Sequence, residues 1–175
     1  MIAFLRGPIP RVIAFGMVLL ALQTTLFTDV RPAGVVIQIV LAFAAAAGAA
    51  GGPDRGAIAG FVLGVMYDLG VGTPLGSSAI TMGLAGVIAG SVKRVNLETR
   101  WWLAALFVML GAALGELAVP VVRTFLGETD VFSERLVVIV PIVGVAAALV
   151  SPLLVPLGRW CLRVERAEWK APPAT

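Results

Sequence analysis

Charged residues in this chain fall in clusters, separated by uncharged stretches at 12–28, 32–53, 69–92 and 136–158 and by a run from Trp101 to Val122 broken only by Glu116. Each stretch is about the ~17–25 residues that carry a helix across a hydrocarbon core. A sixth uncharged stretch, 56–67, would make a helix of only ~18 Å, so it must borrow from its flanks. Gly52-Pro53-Asp54 reads as a helix start, because proline suits the first helical position and an acid suits the first turn. The segment from Gly70 to Gly76, with Gly72, Pro74 and Gly76, reads as a turn motif. The pattern predicts an all-α polytopic membrane protein with six transmembrane helices, at about 12–28, 33–50, 53–70, 75–92, 101–122 and 136–157. Together they form a single transmembrane domain over 1–170, with a basic cytoplasmic tail at 159–175.

Composition narrows the chemistry. Of 175 residues, 59% are hydrophobic and 13% charged, about half the ~25% charge of an ordinary soluble domain. Six spans leave only short loops, with no room for a soluble catalytic domain. One cysteine and no histidine exclude an internal disulfide, a His/Cys zinc site and histidine acid–base catalysis. A P-loop and a dinucleotide fingerprint are both absent. No catalytic, cofactor-binding or metal-binding residue is therefore expected, and no cofactor. Cys161, between Arg159 and Arg163, is either a juxtamembrane palmitoylation site or a plain interfacial thiol.

Charge also sets orientation. Of 13 Lys and Arg, ten fall at the termini and in the second and fourth loops, and three, Arg31, Arg123 and Arg135, fall on the other side. By the positive-inside rule both termini are cytoplasmic, which requires an even number of spans. The first span follows Arg6 and Arg11 without a small-x-small cleavage site and is read as a retained signal anchor. The tail mixes cations with Trp160 and Trp169 and suits the lipid bilayer surface. The basic pI of 9.8 follows from this bias and does not argue for nucleic acid.

Gly56, Gly60, Gly64 and Asp68 recur every four residues along one stripe of the third span. Such a stripe lets a backbone approach closely; Gly86 and Gly90 repeat the spacing in the fourth span, and Gly111 and Gly115 in the fifth. Two uses are open: packing of the protein's own helices, or a groove for a partner helix. Leu63, off the stripe, is the side chain taken to face lipid. Asp68, Glu116 and Arg123 form a candidate intramembrane polar cluster in the outer third of the bilayer. Pro120 frees the carbonyl of Glu116 from its helical partner and predicts a kink there, and Arg123, two turns on, is placed to reach back. Acids at this depth serve structure, a ligand or ion, or a partner helix. Thr73, Ser77 and Ser78 either widen this polar mouth or cap the fourth helix.

The stretch from Gly56 through Gly60, Gly64, Asp68, Gly72 and Pro74 to Gly76 resembles the signature region of the MreD family of rod-shape-determining membrane proteins: a glycine-stepped helix, an aspartate, a short turn and a Pro-Leu-Gly entry into the next helix. Chain length, six spans and cytoplasmic termini are similar across most of the chain. The resemblance implies a non-enzymatic scaffold in the bacterial cytoplasmic (inner) membrane that serves peptidoglycan synthesis and cell shape. Its partner would be MreC and, through it, MreB, RodA and a class B penicillin-binding protein. That family is similar in fold to the substrate-binding S components of energy-coupling-factor vitamin transporters, which is the alternative reading. S components grip their coupling partner through a small-residue ladder on the first helix. Here the corresponding row is Ala14, Val18 and Leu22, and only the first is small.

Overall fold

The computed structural model describes residues 7–25, 34–95, 101–128 and 134–164. Six α-helices occupy them: α1 (Pro8–Thr25), α2 (Ile39–Gly51), α3 (Pro53–Val71), α4 (Ser77–Gly90), α5 (Trp101–Phe125) and α6 (Leu136–Leu162). A short 3-10 segment, Ser91–Val95, prolongs α4. No strand occurs among the described residues. Helices α1, α5 and α6 are long and apolar enough to cross a membrane, and the chain is a membrane protein.

The six helices are less uniform than the apolar pattern suggests. Helix α2 has 13 residues and α4 has 14, short of the ~20 that cross a full hydrocarbon core. The expected span at 33–50 becomes helical only at Ile39. There the backbone N–H of Val40 donates to Gln23 Oε1 of α1 at 3.1 Å, so a side chain from another helix satisfies one of the first turn's orphan donors. The first helix starts at Pro8, four residues ahead of the expected bound, and its expected last residues, 26–28, lie outside the described residues. Helices α5 and α6 outrun their expected ends at 122 and 157, reaching Phe125 and Leu162. Helix α5 remains one helix through Pro120. Helix α6 likewise continues through Pro141, Pro152 and Pro156, all three exposed at its outer surface. Of the tail at 159–175, residues 159–162 complete α6, Arg163 is its C-cap, and residues from 165 on lie outside the described residues.

Helix α2 is the axis of the bundle. Every residue from Val40 to Ala50 is buried, and the helix touches each of the other five. Its sequence explains this: alanines and one glycine through Ala44–Ala50 make a narrow cylinder that neighbouring helices can approach from all sides. Gly158 of α6 is one such approach, its Cβ position falling 3.1 Å from the Ala47 Cα. In lipid no hydrophobic driving force holds helices together, so contact of this kind supplies the attraction. The perimeter is apolar in turn, with Leu149 77% and Leu153 68% exposed, a surface suited to lipid and costly in water. Leu63 is not part of that perimeter. It is fully buried and packs where a side chain on Gly16 of α1 would sit; Phe61 and Leu69 are exposed on α3 instead.

Successive helices run antiparallel and sort the polar groups to two ends. Arg11 at the start of α1 meets the end of α6, its guanidinium donating to the Trp160 carbonyl at 3.4 Å and lying 5.1 Å from the indole ring. Arg55, Lys93, Arg94, Arg159 and Arg163 belong to this same end by their helix positions. Cys161 is fully buried here, 4.0 Å from the Arg11 carbonyl. That removes the palmitoylation reading, which needs an accessible thiol. At the opposite end lie Gln23, Gln38, Asp68, the turn at 72–76, Glu116 and Arg123.

Candidate functional site

The glycine stripe of α3 is filled by α4. A methyl group on Gly56 would meet the carbonyl of Gly86, one on Gly60 the carbonyl of Met82, and one on Gly64 the backbone of Ser78 and Ala79, all well inside contact distance. The relation is reciprocal: Gly86 faces Gly56, and the Cβ position of Gly90 is 2.5 Å from the Pro53 nitrogen. Gly48 of α2 also abuts Gly86, so three backbones converge there. Gly111 of α5 approaches α4 similarly, at 2.6 Å from the Ala85 carbonyl oxygen. Close approach at this stripe is thus between the protein's own helices.

Where the seam reaches its polar end, Asp68 closes it. Its Oδ1 accepts from Thr73 Oγ1 at 2.6 Å, the Ser78 N–H at 3.1 Å and Ser77 Oγ at 3.3 Å, and its Oδ2 accepts from the Gly76 N–H at 2.8 Å. Gly76 is the N-cap of α4. A carboxylate from α3 therefore satisfies the orphan N–H groups at the start of α4, where the helix dipole also favours negative charge. The turn allows this because Gly72 and Gly76 take left-handed backbone, with φ of 79° and 98°, which L side chains rarely adopt. Pro74 supplies the carbonyl that the Ser77 N–H bonds at 3.1 Å. Thr73, Ser77 and Ser78 are partners of Asp68 and serve the capping arrangement.

Glu116 and Arg123 are arranged separately. Glu116 is buried and accepts from Gln38 Nε2 at 2.7 Å, which ties α5 to the residue preceding α2. Arg123 does not bond back to Glu116. Its guanidinium lies 3.8 Å from Glu128, and its Nε is buried without a hydrogen-bond partner. Asp68 and Glu116 thus share one end of the bundle with separate bonding partners. Tyr67 stands among them, within electrostatic reach of Glu116, Arg123 and Asp68, and its hydroxyl receives Gln23 Nε2 at 3.5 Å.

Three residues here escaped the sequence reading: Gln23, Gln38 and Tyr67. A screen for charge within apolar stretches passes over them. They nonetheless carried a signal, since they are the chain's only two glutamines and its single tyrosine. Each is polar enough to need a partner inside lipid. Chemically the cluster is a set of cross-links between helices. Among the described residues no three His, Cys, Asp or Glu side chains gather as a metal-ligand set.

Compared with known proteins, the chain matches no family model, no curated protein and no solved structure.

The cluster makes a graded prediction. Glu116→Leu strands the half-buried amide of Gln38 and should cost about 1 kcal/mol, the low end of the ~1–3 kcal/mol for an unpaired buried donor. Glu116→Gln keeps an acceptor and should melt close to wild type. Equal melting of the two variants would contradict the Gln38 bond.

Proposed function

We propose that the chain is a non-enzymatic scaffold of the bacterial cell-wall elongation machinery, crossing the inner membrane six times with both termini cytoplasmic and partnering MreC. The proposal joins the MreD-like run from Gly56 to Gly76 to one observation. The acids that a solute carrier would offer to its substrate are occupied by this chain: Asp68 accepts four bonds from its own turn and Glu116 one from Gln38. Asp68 is thus engaged through both of its oxygens in holding α3 to α4, and Glu116 through one of its oxygens in holding α5 to the start of α2. The outward row of α1 also favours a scaffold over an S component. Ala14 and Val18 face outward and Leu22 is half-buried, so the row is too bulky for a small-residue grip. The meeting of Arg11 with Trp160 supports both termini on one side, and the surplus of cations there supports the cytoplasmic side.

Affinity purification in mild detergent tests the function. The expected result is recovery of MreC, undiminished by Asp68→Asn. Absence of MreC, together with a reproducible melting shift by one vitamin or metabolite that Asp68→Asn abolishes, would replace the scaffold with the S-component reading. Topology is tested apart from function, in a Cys161→Ala background. A membrane-impermeant thiol reagent should label Leu126→Cys in intact cells and Arg94→Cys only after permeabilisation. Labelling of Arg94→Cys from outside would overturn the orientation.

A further inference from the structure

The basic end of the bundle carries a cleft of about 330 Å³ between α1, α3 and the end of α6. Its floor is apolar: Val12 and Leu162 are buried, and Ile58 and Val62 form a side that opens to the surroundings. Its polar lining consists of two arginines, Arg55 on the first turn of α3 and Arg163 just past α6. Both side chains are exposed, and no described carboxylate lies within ion-pairing distance of either.

The arginines are part of a wider excess of cations. The stem of Lys93 lies over Gly52, next to the start of α3. Partial burial, then the positive charges of Arg159 and Arg55, hold its ammonium below the usual lysine range. Asp54 is the one described carboxylate at this end. Arg163 is also the one described residue other than glycine with left-handed backbone, at φ 51°. This is a conformation usually left to glycine or asparagine after a helix, and here it puts a guanidinium beside the cleft.

We propose that this cleft is a binding site for an anionic phospholipid, with one acyl chain along the apolar floor and the headgroup phosphate held by Arg55 and Arg163. An acyl chain gains little by leaving other acyl chains for an equally apolar cleft. Selectivity therefore rests on the headgroup: arginine's planar donors hold the phosphate oxygens of any phospholipid, and the surplus of cations around the cleft disfavours a headgroup such as choline that adds a positive charge. Each cation near an anionic lipid surface is worth roughly a fivefold preference, so the pair gives a preference on the order of tenfold or more. The site is independent of the scaffold role and would serve any function that needs the bundle anchored at a fixed depth.

Native mass spectrometry of the full chain, released from nanodiscs of equimolar phosphatidylglycerol and phosphatidylcholine, tests this. Wild type should retain phosphatidylglycerol at least about tenfold over phosphatidylcholine. Arg55→Gln with Arg163→Gly should bring the ratio near parity. Glycine suits the backbone at position 163, so the double variant should keep its helical circular dichroism and its melting in detergent without added lipid. Inorganic phosphate alone should leave wild-type melting unchanged. Parity of the two lipids in wild type, a preference unaltered in the folded double variant, or stabilisation by inorganic phosphate equal to that by phosphatidylglycerol would each overturn the site. Should the double variant fail to fold, Arg55→Gln alone decides, with a several-fold loss of preference expected and an unchanged ratio overturning the site.

Discussion

Adding a single methyl group at Gly64 should destabilise this protein more than removing a large side chain from its lipid-facing surface. The new Cβ would meet the backbone of Ser78 and Ala79, and a backbone inside a packed helix cannot rotate away as the end of a side chain can. The seam is also held at Gly56 and Gly90, so α4 cannot retreat at one point without straining the others. Overpacking of this kind costs about 1–3 kcal/mol, occasionally more, and Gly60→Leu or Gly64→Leu should exceed that and reduce folded yield. Gly83 of α4 is the internal control. The nearest atom to its Cβ position is the Ala57 carbonyl oxygen at 3.6 Å, an ordinary contact, and alanine is favoured over glycine within a helix by roughly 0.5–1 kcal/mol. Thermal melts should therefore place Gly64→Ala below wild type, Gly83→Ala at or above it, and Phe61→Ala close to it. Wild-type melting of Gly64→Ala would mean that α3 and α4 do not approach as described.

The second large effect is expected at Asp68. Replacement by leucine leaves the N–H groups of Gly76 and Ser78, and the hydroxyls of Thr73 and Ser77, without their acceptor. A buried donor left unpaired costs about 1–3 kcal/mol, which applies to the Ser77 hydroxyl, while the half-buried donors of Thr73, Gly76 and Ser78 each lose less, and a negative group at the α4 N-terminus is lost as well. Asparagine should fall between. It can keep the three bonds made to Oδ1 but turns an amide N–H toward the N–H of Gly76, where Oδ2 accepted before. The expected order of melting temperature is wild type, then Asp68→Asn, then Asp68→Leu, with Thr73→Ala losing only one hydroxyl bond and lying above the leucine variant. Equal melting of Asp68→Leu and Asp68→Asn would refute the cap. The order bears on function too, because a protein that needs Asp68 to orient α4 should lose partner association in the leucine variant before the asparagine variant.

Much of this was legible in the order of residues. A run of apolar side chains as long as those of α5 and α6 has few other fates, since transfer from water to hydrocarbon depends on composition more than on neighbours. Gly52-Pro53-Asp54 placed the start of α3 at the residue where it occurs, because proline at a first helical position and glycine before it are local requirements. The four-residue step from Gly56 to Asp68 marked one face of a helix for the same reason.

What covers that face is a different kind of fact. A stripe of glycines states that something approaches closely, and only the arrangement of all six helices makes that something α4, with α2 behind it at Gly48. Apolar length gave α2 no distinction from its neighbours, yet its alanines place it at the centre, where a narrow helix can meet five others. Leu63 looked free to face lipid and is buried against α1, because helix rotation is set by packing across the bundle. The polar partners were hidden similarly. Gln38 and Glu116 are 78 positions apart and Gln23 and Tyr67 are 44 apart, so no local spacing relates them. Hydropathy and local stereochemistry act over a few residues and can be read along the chain; the pairing of buried polar groups depends on which helices become neighbours, and that is a property of the fold as a whole.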